Sequence, residues 1–145
     1  MYILLDFIVD KYIRESKPIN GIVHVGAYDE TLHDQYKCHV NEKIVWVSKH
    51  DIQQIKPEIL LQNIEPYNFL NVTMDGQELQ TLQQLINDNI EYIYTQTYDH
   101  DYNSVCVKFK QLNEFMISNN FKLEAYTLVN NRGVTQFAGL YIRTA

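Results

Sequence analysis

The sequence predicts a single α/β domain with a mostly parallel sheet that closes with an antiparallel hairpin strand. Short β-branched or aromatic segments alternate with amphipathic segments of helical period, a pattern typical of parallel sheets with helical crossovers. The last two apolar segments instead flank Asn-Arg-Gly at 131–133, which favours a hairpin. A length of 145 residues fits one domain, spanning 1–145.

The first half of the chain predicts helices placed around two buried strands. Residues 2–15 carry apolar side chains at three- and four-residue spacing, which predicts an amphipathic helix. Segments 21–27 and 43–47 are continuous apolar runs, as expected of strands covered on both faces. A polar helix is expected over 29–38, and a short or broken helix over 50–63.

The second half repeats strand and helix before the hairpin. Residues 67–73 and 91–98 are rich in β-branched and aromatic side chains and predict strands. Segments 78–88 and 105–118 show helical periodicity and predict the intervening helices. The predicted sheet runs through 22–26, 44–48, 68–73, 91–97 and the hairpin strands 121–130 and 135–144.

Composition excludes several classes of protein. The chain has 12 basic and 18 acidic residues, a net charge of -6 and no basic run, so we expect neither nucleic-acid nor membrane binding. No segment reaches about 18 apolar residues, and the start lacks the basic region of a signal peptide. Cys38 and Cys106 are too few for a disulfide scaffold, which indicates a reduced, cytoplasmic setting. Abundant Ile, Asn and Tyr with scarce Gly and Ala indicate an A+T-rich genome, as in some large DNA viruses, phages and A+T-rich bacteria.

Three parts of the chain share a further pattern. They are HVGAYDETLHDQY at 24–36, FLNVTMDGQELQTLQQL at 69–85 followed by IEYIYTQTY at 90–98, and GLYIR at 139–143. In this order they resemble the first-strand motif, central block and closing strand of the FkbM-type S-adenosylmethionine-dependent methyltransferases. The resemblance implies a Rossmann-like class I methyltransferase sheet, here shortened because residues 50–66 leave no room for a third strand with its helix.

The polar positions of this family are not kept. The resemblance places acids where this chain has His24, Ser48, Thr73, Gln96 and Ala138. The acid after the second strand grips the cofactor's ribose, and losing such charge-assisted hydrogen bonds costs about ten- to a hundredfold in affinity. Lys49 adds positive charge where a cationic cofactor needs the opposite.

These departures predict a methyltransferase-like pseudoenzyme that has lost catalysis and acts by binding or assembly. We expect no catalytic residue, no bound cofactor and no metal, with Gly26, Ala27, Ser48 and Asp75 as the vestige of a cofactor site. The alternative is an active S-adenosylmethionine-dependent O-methyltransferase of FkbM type, acting for example on a sugar hydroxyl.

Other interpretations of the same residues stay open. Gly26 serves a cofactor or simply a tight strand-to-helix turn. His24 and the acidic loop 99–101 fall near carboxyl ends of strands, where ligands bind in α/β sheets, but a core histidine and a solvated loop explain them as well as a metal site does. The missing third strand would leave 43–48 as an apolar edge, which predicts that residues 50–66 or a second copy of the chain covers it.

Overall fold

The computed structural model describes residues 5–13, 17–74 and 77–144. Its helices are α1 (Leu5–Ile8), which continues into a π-helical turn (Val9–Ile13), α2 (Glu30–Val40), α3 (Lys49–Gln54), α4 (Pro57–Ile64), α5 (Glu78–Leu85) and α6 (Tyr102–Ser118). Its strands are β1 (Ile22–Val25), β2 (Ile44–Val47), β3 (Phe69–Val72), β4 (Tyr92–Asp99), β5 (Phe121–Asn131) and β6 (Val134–Arg143).

The six strands form one sheet in the order β2-β1-β3-β4-β6-β5. The first four are mutually parallel, and β6 lies antiparallel between β4 and β5. The predicted fold class, including the antiparallel final strand, is therefore confirmed. The ends of the first predicted helix, 2–4 and 14–15, lie outside the described residues.

Helices cover both faces of the sheet, so the inner strands β1 and β3 bury alternate side chains in two separate cores. Val23 and Leu70 point into the core formed with α4, α5 and α6. Ile22 and Phe69, their neighbours in the chain, point to the core formed with α1 and α2. This double burial explains why the strands appear in the sequence as continuous apolar runs.

The hairpin turn follows the chemistry of its residues. Arg132 and Gly133 have φ angles of 53° and 79°, and two successive positive φ values are those of a type I′ turn. This turn matches the right-handed twist of the flanking strands β5 and β6, so the two pair directly.

The sheet stops at β2, as the short 50–66 segment predicts. Residues 49–64 form α3 and α4, broken at Lys56 just before Pro57, and Val45 packs with Ile52 and Ile55 on one face of the sheet. Within the described ranges β2 pairs with β1 alone, so its outer backbone edge is free.

Two helix boundaries differ from the expected ones. α6 begins at Tyr102 rather than at 105, because the side chain of Asp101 accepts a hydrogen bond from the Asn103 amide and caps the helix. α5 ends at Leu85 rather than at 88, because Ile86 adopts an extended conformation.

Candidate functional site

A cavity of about 310 Å³ opens at the carboxyl ends of β1, β3 and β4, on the face covered by α1 and α2. Open α/β sheets bind ligands in this region. Its lining brings together three of the five positions where the chain departs from the acids of the resembled family. The lining residues are Leu5, Ile8, His24, Ala27, Tyr28, Asp29, Leu32, Tyr36, Phe69, Asn71, Thr73, Tyr94 and Gln96.

The Tyr36 hydroxyl ties α2 to two strands beneath it. It lies 2.8 Å from Nδ1 of His24 on β1 and accepts a hydrogen bond of 2.7 Å from Nδ2 of Asn71 on β3. The Oδ1 atom of Asn71 accepts in turn from the Thr73 hydroxyl at 3.1 Å. Tyr36, His24 and Asn71 are buried, so this chain of uncharged groups satisfies polar atoms that water does not reach.

Aromatic contacts fix the His24 ring from the side of β2. The ring centroids of His24 and Trp46 are 4.4 Å apart, and the Tyr28 ring meets Trp46 edge-on at 4.8 Å. The Trp46 indole donates to Nδ1 of His33 at 2.9 Å. His24 is therefore held in one orientation by both a hydrogen bond and a tilted ring contact.

The site keeps His24 uncharged. Burial lowers the pKa of His24 to about 4, and the nearby Asp29 carboxylate, which acts to raise it, compensates only in part. At neutral pH the ring therefore presents one donor and one acceptor and no formal charge.

A second uncharged pair forms the far side of the cavity. Gln96 on β4 donates to the Tyr94 hydroxyl at 3.3 Å and accepts from Gln136 at 2.6 Å. Ala138, fully buried, lies opposite Gln96 in the β4–β6 register. The two acid positions that the resemblance implies are thus adjacent in space and are occupied by an amide and a methyl group.

The predicted vestige of the cofactor site lies in a neighbouring groove of about 270 Å³. Gly26, Ala27 and Ser48 line it, together with Lys49. Asp75, the fourth predicted residue, lies outside the described residues, so the structure does not place it.

Ser48 acts as the N-terminal cap of α3. Its hydroxyl accepts from the Asp51 amide at 3.1 Å, and the Asp51 carboxylate accepts from the Ser48 amide at 2.9 Å. This reciprocal pair is a capping box. These hydrogen bonds lower the pKa of Asp51 and hold its carboxylate against the helix terminus.

Gly26 is required by the packing of the strands themselves. Its φ angle is 143°, a conformation that residues with a Cβ rarely adopt, and an added Cβ would lie 2.6 Å from the Thr73 carbonyl oxygen. Its amide donates to the Val47 carbonyl at 2.9 Å. The tight-turn interpretation therefore accounts for this glycine without a ligand.

The remaining sequence candidates do not join the site. Asp99 pairs with Lys108 at 3.1 Å, Asp101 caps α6 and His100 is exposed. Within the described ranges, no three His, Cys, Asp or Glu side chains come together as metal ligands would. No helix in that part of the chain is long and apolar enough to cross a membrane.

Sequence reasoning missed Tyr36 and Asn71 as members of the site. Asn71 gives a weak signal, because an amide interrupts the buried run FLNV and a buried amide needs a partner. Tyr36 falls in the polar helix predicted over 29–38, and its contact with a residue 35 positions away has no local signature.

Comparison with known proteins identifies the fold. No protein-family model matches the sequence, and no characterised protein matches it by sequence. Solved structures do match. Magnesium protoporphyrin IX methyltransferase from Synechocystis PCC 6803 gives a TM-score of 0.57 at 12% identity, over 96% of this chain and 81% of that one. A protein-(glutamine-N5) methyltransferase from Alicyclobacillus acidocaldarius gives a TM-score of 0.53 at 11% identity, over 96% of this chain and 91% of that one. A chain of a fibrillarin/Nop5p complex gives a TM-score of 0.59 at 9% identity, over 97% of this chain and 80% of that one.

These likenesses define the class of fold: a Rossmann-like, class I methyltransferase sheet. At such low identity they show the fold alone. The finer assignment to the FkbM type stays a prediction from the sequence motifs.

The packing around Gly26 predicts a large stability loss for Gly26→Ala, since the new methyl group meets backbone that cannot move cheaply. We expect a fall in the free energy of unfolding of about 3 kcal/mol in urea denaturation. Gly133→Ala is the matched control, because Gly133 also has a positive φ but open space around it, and about 1 kcal/mol is expected there. Equal losses in the two variants would contradict the packing explanation.

The lowered pKa of His24 predicts a specific pH dependence of stability. Between about pH 4 and 6.5 the unfolded chain binds more protons than the folded one. The contribution of neutral His24 to the free energy of unfolding is therefore complete above pH 6.5. As the pH falls towards 4, the free energy of unfolding decreases by about 3 kcal/mol in total. Urea denaturation at several pH values measures this, with His24→Gln as the reference that lacks the titrating group. Parallel pH profiles for the two proteins would show that His24 is not held neutral.

Proposed function

We propose that this chain is a methyltransferase-fold protein that binds a ligand without transferring a methyl group. The observation that carries the proposal is the use of Ser48. At the end of the second strand, where the resemblance expects a ribose-binding acid, the Ser48 hydroxyl is engaged in capping α3. The neighbouring Lys49 is exposed at the same groove.

The charge of the site supports the same conclusion. S-adenosylmethionine carries a sulfonium cation, and carboxylates normally stabilise such a charge. Here Ser48, His24 and Gln96 offer neutral groups in place of the expected acids. Burial disfavours even the protonated form of His24, so a cation placed beside it would meet the same penalty.

The groove beside Gly26 favours the alternative, an active methyltransferase. Its 270 Å³ leave space at the ends of β1 and β2, and Gly26 is among the residues that line it. The two functions differ in one measurable property, the affinity for S-adenosylmethionine.

Calorimetric titration with S-adenosylmethionine separates the two. We expect no micromolar binding by the unmodified chain, because Ser48 offers no carboxylate for the ribose at the end of the second strand. Ser48→Asp restores a carboxylate and keeps a good helix cap, while Ser48→Asn keeps the cap without the charge. A gain of about tenfold or more for the aspartate variant over the asparagine variant is expected if the groove is otherwise intact.

Micromolar binding by the unmodified chain, followed by methyl transfer to any acceptor, would overturn the proposal and establish the enzyme. Equal, undetectable binding by all three proteins would agree with a site that no longer accommodates the cofactor.

We further propose that a second copy of the chain covers the free edge of β2. Ile44, Val45 and Trp46 are half-buried and present an edge without the charges that usually protect one. Pairing of two such edges would continue the sheet across a dimer.

Sedimentation tests this assembly. We expect a species of twice the 17.2 kDa chain mass at micromolar concentration. Ile44→Lys introduces a charge at the edge and should give monomers, whereas Ile59→Lys, at an exposed position on α4, should leave the dimer intact. A monomer at every concentration would contradict the proposal.

A further inference from the structure

We propose that the 310 Å³ cavity binds an uncharged, flat organic molecule with hydrogen-bonding groups at one end, for which an aromatic primary amide is the simplest representative. This inference rests on the proposed function, since it names the class of ligand for a site that no longer takes the cationic cofactor. A volume near 300 Å³ is at the lower end of the range for cavities that hold small organic molecules.

Among the residues that the structure describes, the lining is uncharged except at its rim. Asp29 is the one carboxylate in this described lining, which includes no lysine or arginine. Asp29 is exposed, and its Oδ1 atom accepts a hydrogen bond from the Leu32 amide as the cap of α2. In this part of the lining an anion would therefore find no cationic partner, and a cation would find only a rim carboxylate that already caps a helix.

The protonation state of His24, which lines the cavity, indicates how the interior treats a positive charge. Its ring would gain a positive charge below its usual pKa, yet burial opposes that charge more strongly than Asp29 favours it. A cationic ligand in contact with His24 would meet the same desolvation penalty. The geometry of the lining and the state of its own titratable group thus agree on a neutral occupant.

Polarity changes along the cavity in a direction that would orient such an occupant. On β3 and the residues after it, alternate positions 69, 71 and 73 face the cavity and progress from phenylalanine to asparagine to threonine. On β4, Tyr94 and Gln96 repeat the progression. The floor therefore suits an apolar ring, and the end at Thr73 and Gln96 suits donors and acceptors.

Three molecules of nearly equal shape test the charge preference: benzamide, benzoate and benzamidinium. Titration at pH 7, followed by ligand-observed NMR, ranks their affinities. We expect benzamide to bind at least about tenfold more tightly than either ion. In the protein spectrum, benzamide should shift the ring resonances of His24 and leave those of the exposed His50 and His100 unchanged.

A variant that fills part of the cavity tests whether benzamide binds there. Leu32→Trp places a larger side chain in the cavity from α2 and should lower benzamide affinity by about tenfold or more. Ile59→Trp makes the same kind of change on the exposed surface of α4 and should leave it unaltered. Should Leu32→Trp fail to fold, the His24 resonance shifts in the unmodified protein still decide the location.

Equal or tighter binding of either ion, no benzamide binding, or benzamide binding that neither shifts His24 nor responds to Leu32→Trp would each overturn the inference. A different result would contradict the proposed function: micromolar affinity for S-adenosylmethionine at the groove of Ser48. If the chain binds neither S-adenosylmethionine nor benzamide, the absence of methyl transfer still stands, and the inference about the 310 Å³ cavity is wrong.

Discussion

The hydrogen bonds of the Tyr36 hydroxyl constrain the carboxyl ends of β1 and β3 and the helix α2 that covers them. One oxygen on α2 meets His24 of β1 and Asn71 of β3, so it fixes the helix to the sheet where the strands end. Because the three groups are buried, each needs a partner, and a lost partner would leave an unsatisfied polar atom at a cost of about 1–3 kcal/mol. Such a network tolerates neutral partners far better than an isolated charge, which is consistent with its members being histidine, asparagine and threonine.

The fold and the site respond to different physical demands. The apolar strands must fill two cores, and any chain that does so with this connectivity obtains the class I methyltransferase sheet. The polar positions are free to serve other purposes. Here Ser48 caps α3, Gln96 pairs with Gln136, and Gly26 relieves a clash with the Thr73 carbonyl. Each has a structural task of its own, so neither the fold nor the glycine alone argues for methyl transfer.

Local pattern was sufficient to predict the elements but not the site. The runs at 22–25 and 69–72 are recognisable as buried strands because both faces are apolar, and Arg132-Gly133 is recognisable as a turn because few residues accept two positive φ angles. The start of α6 was missed because the Asp101 cap precedes the apolar periodicity. Positions 24, 73 and 96 were singled out as departures from a family pattern, and they line one cavity. Tyr36, the hydrogen-bonding partner of His24, is brought there by the packing of α2, which no short segment encodes.

The central claim is that the carboxyl ends of β1 and β3 carry a neutral, preorganised hydrogen-bond network. The most direct measurement is a long-range ¹H–¹⁵N histidine NMR spectrum at pH 7, which distinguishes the neutral imidazole from the imidazolium ion. Because burial lowers the pKa of His24 to about 4, the account predicts a neutral His24 ring with one protonated nitrogen. An imidazolium signal would contradict it.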